Sequence, residues 1–378
     1  MKLLDFIKKT FVKKIDEEPK NESQLVHQKI ENYNQPKPNA NNSNYDNYIF
    51  QKPGRYAKIK LDGLYPEEIL MISYAPKYST ATNEFQAFWK YNYGILDCKR
   101  LLEKLLDNGY LKFGDVSYSI RAQRISDIKP VLKKYNLKVS GKKAELVDRL
   151  IENVSSQKLS VDFPIKYYRI SEKGAELLNK YPWISYIHRN NFSDIDIWSF
   201  SKLMQSKKED YREVLYQTLD QFAEKYYLKE DYGLSTNTKL SMTHVLIDQG
   251  KFESALFQLL VVIANDLNGS HFIVGNQVDI KSFYFDHKKY IFPYSDTDDS
   301  KIKIPPAVIT LLEDILEKLD LSDNKTYSLL LKGFEEAKVP IKLFQPVDMT
   351  NIAIAEMNND VRKLKIIYSS VEKRLDRM

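Results

Sequence analysis

The chain has 378 residues, is 43 % hydrophobic and 12 % aromatic, and carries a formal net charge of +6 at pH 7. That length and composition suit a globular protein of two or three domains. One cysteine, Cys98, excludes an intrachain disulfide framework or a cysteine-based zinc site, and no apolar run approaches the ~20 residues of a membrane span.

Residues 1–15 read as a small basic amphipathic helix. Leu3, Leu4, Ile7, Phe11 and Ile15 form its stripe, among Lys8, Lys9, Lys13 and Lys14. Such a helix docks on a membrane surface or a partner groove, or packs on its own protein. It lacks the apolar core and small-residue end of a secretory signal. Residues 16–47 carry eight Asn with Pro19, Pro36 and Pro38 and few large apolar side chains, the composition of a disordered linker.

A folded region is expected over 48–190. Pro66 stands near the start of a helix that includes Glu67, Glu68, Ile69 and Leu70. Asp97 to Asn108 predicts a helix with Leu101, Leu102, Leu105 and Leu106 inside, closed by Gly109, and Cys98 reads as structural within it. Tyr110 to Phe113 and Lys166 to Ile170 read as strands. Ser171 caps the next helix.

Between those strands lies the most telling segment, 125–152. Ile128, Val131, Leu132 and Tyr135 follow helical spacing, with Lys129, Lys133 and Lys134 opposite. Ser126 is the expected first cap, and Pro130 is expected in the first helical turn. Asn136 ends the helix, and Ser140-Gly141 opens a second, with Leu146, Val147, Leu150 and Ile151 as its stripe. Lys142 and Arg149 share one edge of that helix. The amides of Gly141, Lys142 and Lys143 at its N-terminus would suit a phosphate. From 120 to 158 there are ten Lys/Arg and four Asp/Glu, a net +6 equal to that of the whole chain. Basic excess concentrated in this way is the pattern of electrostatic DNA binding.

The run Ser140-Gly141-Lys142-Lys143-Ala144-Glu145-Leu146 followed by Arg149-Leu150, with Ile128, Val131-Leu132 and Leu137 before it, resembles the SAP domain, a helix-turn-helix-like DNA-binding module. The resemblance implies contact with duplex DNA through the second helix and the turn before it, with a preference for A/T-rich DNA rather than a defined sequence. The residues it points to are Lys133, Lys134, Lys138, Ser140, Gly141, Lys142, Lys143 and Arg149. With the hairpin removed, the flanks L-L-x-x-L-L-D-N-G-Y-L and Y-Y-R-I-S-E-K-G-A-E-L-L resemble a winged-helix domain. The hairpin, 120–158, would then be inserted between the wing strands, and Lys99, Arg100 and Lys104 would lie on the recognition helix.

From about 191 to 378 the pattern is mainly helical. Leu215, Leu219, Phe222 and Tyr226 step along one helix, and Gln249 to Leu256 resembles the turn of a tetratricopeptide-like hairpin, in a single copy. Residues 272–291 are expected to hold short strands, and Asp296 to Ser300 an acidic loop. Pro305-Pro306 opens a helix with Leu311, Leu312, Ile315, Leu316 and Leu319. A last helix carries Met357, Val361, Leu364, Tyr368, Val371 and Leu375, suited to core packing, self-association or a partner.

Nothing demands catalysis or a cofactor. His27, His188, His244, His271 and His287 lack metal-site spacing, and no phosphate loop or nucleophile elbow occurs. The expectation is therefore a non-enzymatic, mainly α protein: a winged-helix-like α/β region, an inserted SAP-like hairpin and a helical C-terminal domain. Its organisation loosely resembles SAP-domain proteins of prophages and mobile elements in low-GC Gram-positive bacteria, and the single cysteine suits a reducing cytosol, so a cytoplasmic location is expected. The expected partners are duplex DNA and, through the C-terminal helices, another protein or a second copy. The rivals are a scaffold whose hairpin binds protein, and a nuclease holding a metal on Asp296, Asp298 and Asp299.

Overall fold

The computed structural model describes residues 59–378 except 193, 274–278 and 293–303. The expected helix at 1–15, the linker at 16–47 and the acidic loop at 296–300 lie outside the described residues. The described chain is mainly helical, and its one sheet has two strands. It forms two compact units, divided between Lys208 and Glu209. No described helix is long and apolar enough to cross a membrane.

In the first unit the central helix is α1 (Pro66–Tyr74), with Pro66 in its first turn as expected. Ile69, Leu70, Met71 and Ile72 are all fully buried, so the helix is covered on every side. It carries two acidic side chains into that interior. Glu68 accepts from the Tyr65 N–H at 2.7 Å and from Lys104 Nζ at 3.0 Å. Glu67 accepts from Trp198 Nε1 at 2.6 Å. Buried charge is tolerated only with such partners. After α2 (Phe88–Tyr91) comes α3 (Cys98–Asp107), capped by Asp97, which accepts from the Arg100 N–H at 2.9 Å. Cys98 is buried in the first turn of α3, and burial pushes its thiol up to about 12. Lys104 is not a solvated cation of this helix, because it neutralises Glu68, whose side chain is 1 % exposed.

Strands β1 (Leu111–Phe113) and β2 (Tyr168–Ile170) pair antiparallel, with Leu111 opposite Ile170 and Phe113 opposite Tyr168. Between them run α4 (Val116–Ala122), α5 (Ile125–Lys134), α6 (Lys143–Asn153) and α7 (Ser156–Asp162). Helix α8 (Glu172–Lys180) follows β2 and is capped by Ser171, whose Oγ accepts from the Gly174 N–H at 3.0 Å and donates to the Gly109 carbonyl at 2.7 Å. Only glycine fits at 174, since a Cβ there would stand 2.3 Å from the Tyr110 carbonyl oxygen. Helices α9 (Trp183–Asn190) and α10 (Ile197–Met204) complete the unit. The sequence pattern put a boundary near 191, whereas α10 packs on α1 and α9, through Trp198 on Glu67 and Trp183 Nε1 on Ser201 Oγ at 3.0 Å.

The second unit contains α11 (Tyr211–Leu228), α12 (Tyr232–Asp248), α13 (Phe252–Leu267), α14 (Ile280–Ile291), α15 (Pro306–Leu319), α16 (Asp323–Glu336), α17 (Pro346–Met357) and α18 (Val361–Leu375). One core runs through α13, α15, α16, α17 and α18. Gly250, at φ +72°, makes the tight turn between α12 and α13. Two expectations are corrected. The segment 280–291 is helix, not strand: Asp279 caps it by accepting from the Ser282 N–H at 2.8 Å, and Phe283, Tyr284 and Ile291 face the core. The last apolar series is also broken, since Met357 ends α17, Asn359 turns the chain at φ +52°, and Asp360 caps α18. Leu364, Tyr368, Val371 and Leu375 are buried in this unit's own core, which removes them as a self-association surface.

Burial pushes the Glu67 carboxyl up to about 7, from 4.5 in the unfolded chain. Between those values the folded state binds more protons, so this group's contribution makes stability fall as pH rises. Glu67→Gln keeps the acceptor for Trp198 and removes the titration. Relative to wild type, the variant should gain on the order of 3 kcal/mol between pH 5 and pH 8. Urea denaturation at both values measures it, and a difference that does not change with pH would refute the assignment.

Candidate nucleic-acid interface

The basic segment folds as four helices, not two. Asp115 caps α4 by accepting from the Tyr118 N–H at 2.7 Å. Ile120 of α4, Ile128 and Leu132 of α5, Leu146, Val147 and Leu150 of α6, and Leu159 and Phe163 at α7 form one core distinct from those around it. Val131, Tyr135, Leu137, Val139 and Ile151 pack against its edge. The stripes read from the sequence therefore meet as expected, but α4 and α7 close the ends that a two-helix hairpin would leave in water. Asp115 before an apolar run, and Leu159 with Phe163, were the available signals.

The caps differ from expectation. Helix α5 starts at Ile125, so Ser126 lies inside it and its hydroxyl contacts Asp127 Oδ1 at 3.1 Å. Pro130 is inside the helix rather than in its first turn. Asn136 does end the helix, at φ +56°. Ser140 is not the cap of α6. The chain turns at Gly141, φ +131°, and Lys142 is the residue before the helix. The Lys142 N–H, one of the three amides expected to suit a phosphate, is taken by Glu145 Oε2 at 3.2 Å.

The basic side chains divide into two groups. Arg149 is half-buried and its Nη1 donates to the carbonyls of Lys138 and, at 3.2 Å, Ser140. It clamps the turn rather than pointing its whole guanidinium outward. Lys134 is bound to the Asp162 carboxylate, which also accepts from Tyr135 OH at 2.7 Å. Those hydrogen bonds, Lys134 first, hold the Asp162 carboxyl below the usual carboxylate range. Arg121 pairs with Asp148 at 2.8 Å. Lys129, Lys133, Lys138 and Lys142 are exposed and Lys143 half-buried, and none has a carboxylate partner among the described residues. Ser140 and Gly141 are exposed beside them. A row of unpaired cations on a clamped turn can bind anionic phosphates without reorganising.

Residues 120–155 match the family model of the SAP domain. The chain contains a SAP domain. The match indicates binding of DNA or nucleic acid in general, and the helices and core that contain the matched residues run from 116 to 163. No curated protein and no solved structure matches the chain. Among the described residues no group of His, Cys, Asp and Glu could hold a metal ion.

Leu146 is fully buried at the centre of the domain. Leu146→Asp would place a charge there without a partner, a change that typically costs more than about 4 kcal/mol. The four helices should unfold while the helices around α1 persist. Limited proteolysis should then cut within 116–163 first, whereas uniform cleavage along the chain would show that the domain has no core of its own.

Proposed function

We propose that the chain binds duplex DNA through its SAP domain, by phosphate contacts of low sequence specificity, and that it does so without catalysis. The observation that carries this reading is the set of unpaired cations, Lys133, Lys138, Lys142 and Lys143, on and before a turn held by Arg149. Phosphate contacts fix position and supply affinity but carry no sequence information. Lys134 and Arg149 act by shaping this surface, since their charges are already engaged.

The helical unit, 209–378, serves as the partner-binding part in this reading. With the α18 stripe buried, the exposed apolar side chains of this unit include Leu228 on α11, Phe285 and Tyr290 on α14, Val347 on α17, and Val361 and Ile366 on α18.

Four contacts at about 0.9 each predict a log–log salt slope of at least about 3 to 4 in magnitude for B-DNA. Fluorescence anisotropy across a salt series measures it, and Lys142→Glu with Lys143→Glu should abolish most binding without changing circular dichroism. A flat salt response, or a double variant that binds like wild type, would overturn the reading.

A fragment spanning 209–378 should fold alone, because it holds a complete core. It should show no DNA binding. If it self-associates, Ile366→Asp should disperse it and Lys363→Asp should not, as sedimentation velocity would show. Dispersal by neither would move the contact away from α18.

A further inference from the structure

The strand pair that carries the SAP domain has an arrangement that its own stability does not explain. Lys112 of β1 stands directly opposite Arg169 of β2, and both are exposed. Like charges facing each other across a ladder are unfavourable. Two more cations flank them: Lys166 lies over the Phe113 ring at 5.4 Å, and Lys173 over the Tyr110 ring at 4.1 Å. Arg169 itself lies over the Tyr118 ring at 4.9 Å, on the first helix of the SAP domain. Lys112, Lys166 and Arg169 have no carboxylate partner among the described residues. The nearest acidic groups in the sequence are Asp115, whose carboxylate caps α4, Asp162, whose carboxylate is taken by Lys134 and Tyr135, and Glu172, in the first turn of α8.

We propose that this face, Lys112, Lys166 and Arg169, is a second contact for the phosphate backbone of the duplex held by the SAP domain, with Lys173 beside it donating to the Asn108 carbonyl at 2.9 Å. The proposal rests on the DNA-binding reading above. A polyanion turns the repulsion between Lys112 and Arg169 into attraction, which accounts for a pair that isolated folding disfavours. The aromatic rings orient the cations instead of offering platforms for bases: Tyr110, Phe113 and Tyr118 are already covered, and Tyr168 is buried. That favours phosphates of a duplex over unpaired bases. Because Arg169 bridges β2 and α4, the strand face and the SAP domain are linked at the point where both meet the ligand.

The test uses the full chain with Lys112→Gln and Arg169→Gln, and a second variant with Lys112→Gln and Lys166→Gln that keeps the Tyr118 contact. Each should reduce the magnitude of the salt slope by about 2, at 0.9 per contact. The melting temperature of the first should change little, because relief of the repulsive pair offsets loss of the Tyr118 contact. Lys225→Gln with Lys229→Gln, in the helical unit, should leave the slope unchanged. Slopes equal to wild type in both strand variants, while Lys142→Glu with Lys143→Glu still abolishes binding, would overturn this second contact and leave the SAP reading intact. Absence of salt-dependent binding by the wild type would overturn both. A variant that loses affinity for an acidic protein but not for DNA would assign the face to a protein and also overturn the proposal.

Discussion

The N-terminal unit depends on one short antiparallel pairing. Strands of three residues are too short to be stable alone. This pair holds because Leu111 and Tyr168 are buried, because Ser79 bridges Tyr167 on the far side, and because Gly174 lets α8 approach the Tyr110 carbonyl. The Gly114 N–H still reaches the Tyr167 carbonyl at 2.9 Å, so the insertion leaves and re-enters at the same place. An insertion constrained in this way cannot borrow the host's interior and must bury its own apolar residues. The separate core of the SAP domain follows from that constraint.

Charge in this protein serves two purposes, and the structure separates them. Glu67 and Glu68 are buried with their partners Trp198 and Lys104, and so tie α10 and α3 to the central helix. Arg149, Lys134 and Arg121 likewise spend their charge inside the SAP domain, on carbonyls and carboxylates. What remains outward is a smaller set of lysines than the sequence count implies. At the start of α6 the Lys142 N–H is taken by the Glu145 carboxylate.

Much of this was legible in the sequence. Apolar spacing placed α3, α5, α6, α11, α15 and most of α18, Gly109 and Asn136 marked the ends of α3 and α5, and Ser171 the start of α8, because few residues fill those backbone roles. The SAP motif read at 125–152 falls within the matched residues 120–155. What failed did so for physical reasons. Ser126 and Ser140 are good caps in isolation, but the chain entered each helix elsewhere, at Ile125 and Lys143. The aromatic run at 283–292 has strand propensity, and tertiary packing with the Asp279 cap made it helix. Salt partners such as Asp162 for Lys134 and Glu68 for Lys104 are distant in the chain, and spacing alone carries no sign of them.

The shared entry and exit of the SAP domain also bears on how such a chain tolerates it. β1 and β2 are in register, so a turn of a few residues could join them. Replacing a four-residue turn with the whole stretch from Gly114 to Tyr167 lengthens the closed loop by fewer than four doublings. At about 0.6 kcal/mol per doubling, the entropic penalty is only about 2 kcal/mol, even for a structureless insert. A segment with its own core offsets that penalty from within. To the strand pair, the SAP domain is topologically an overgrown hairpin loop, and its size weighs on the host far less than its length suggests.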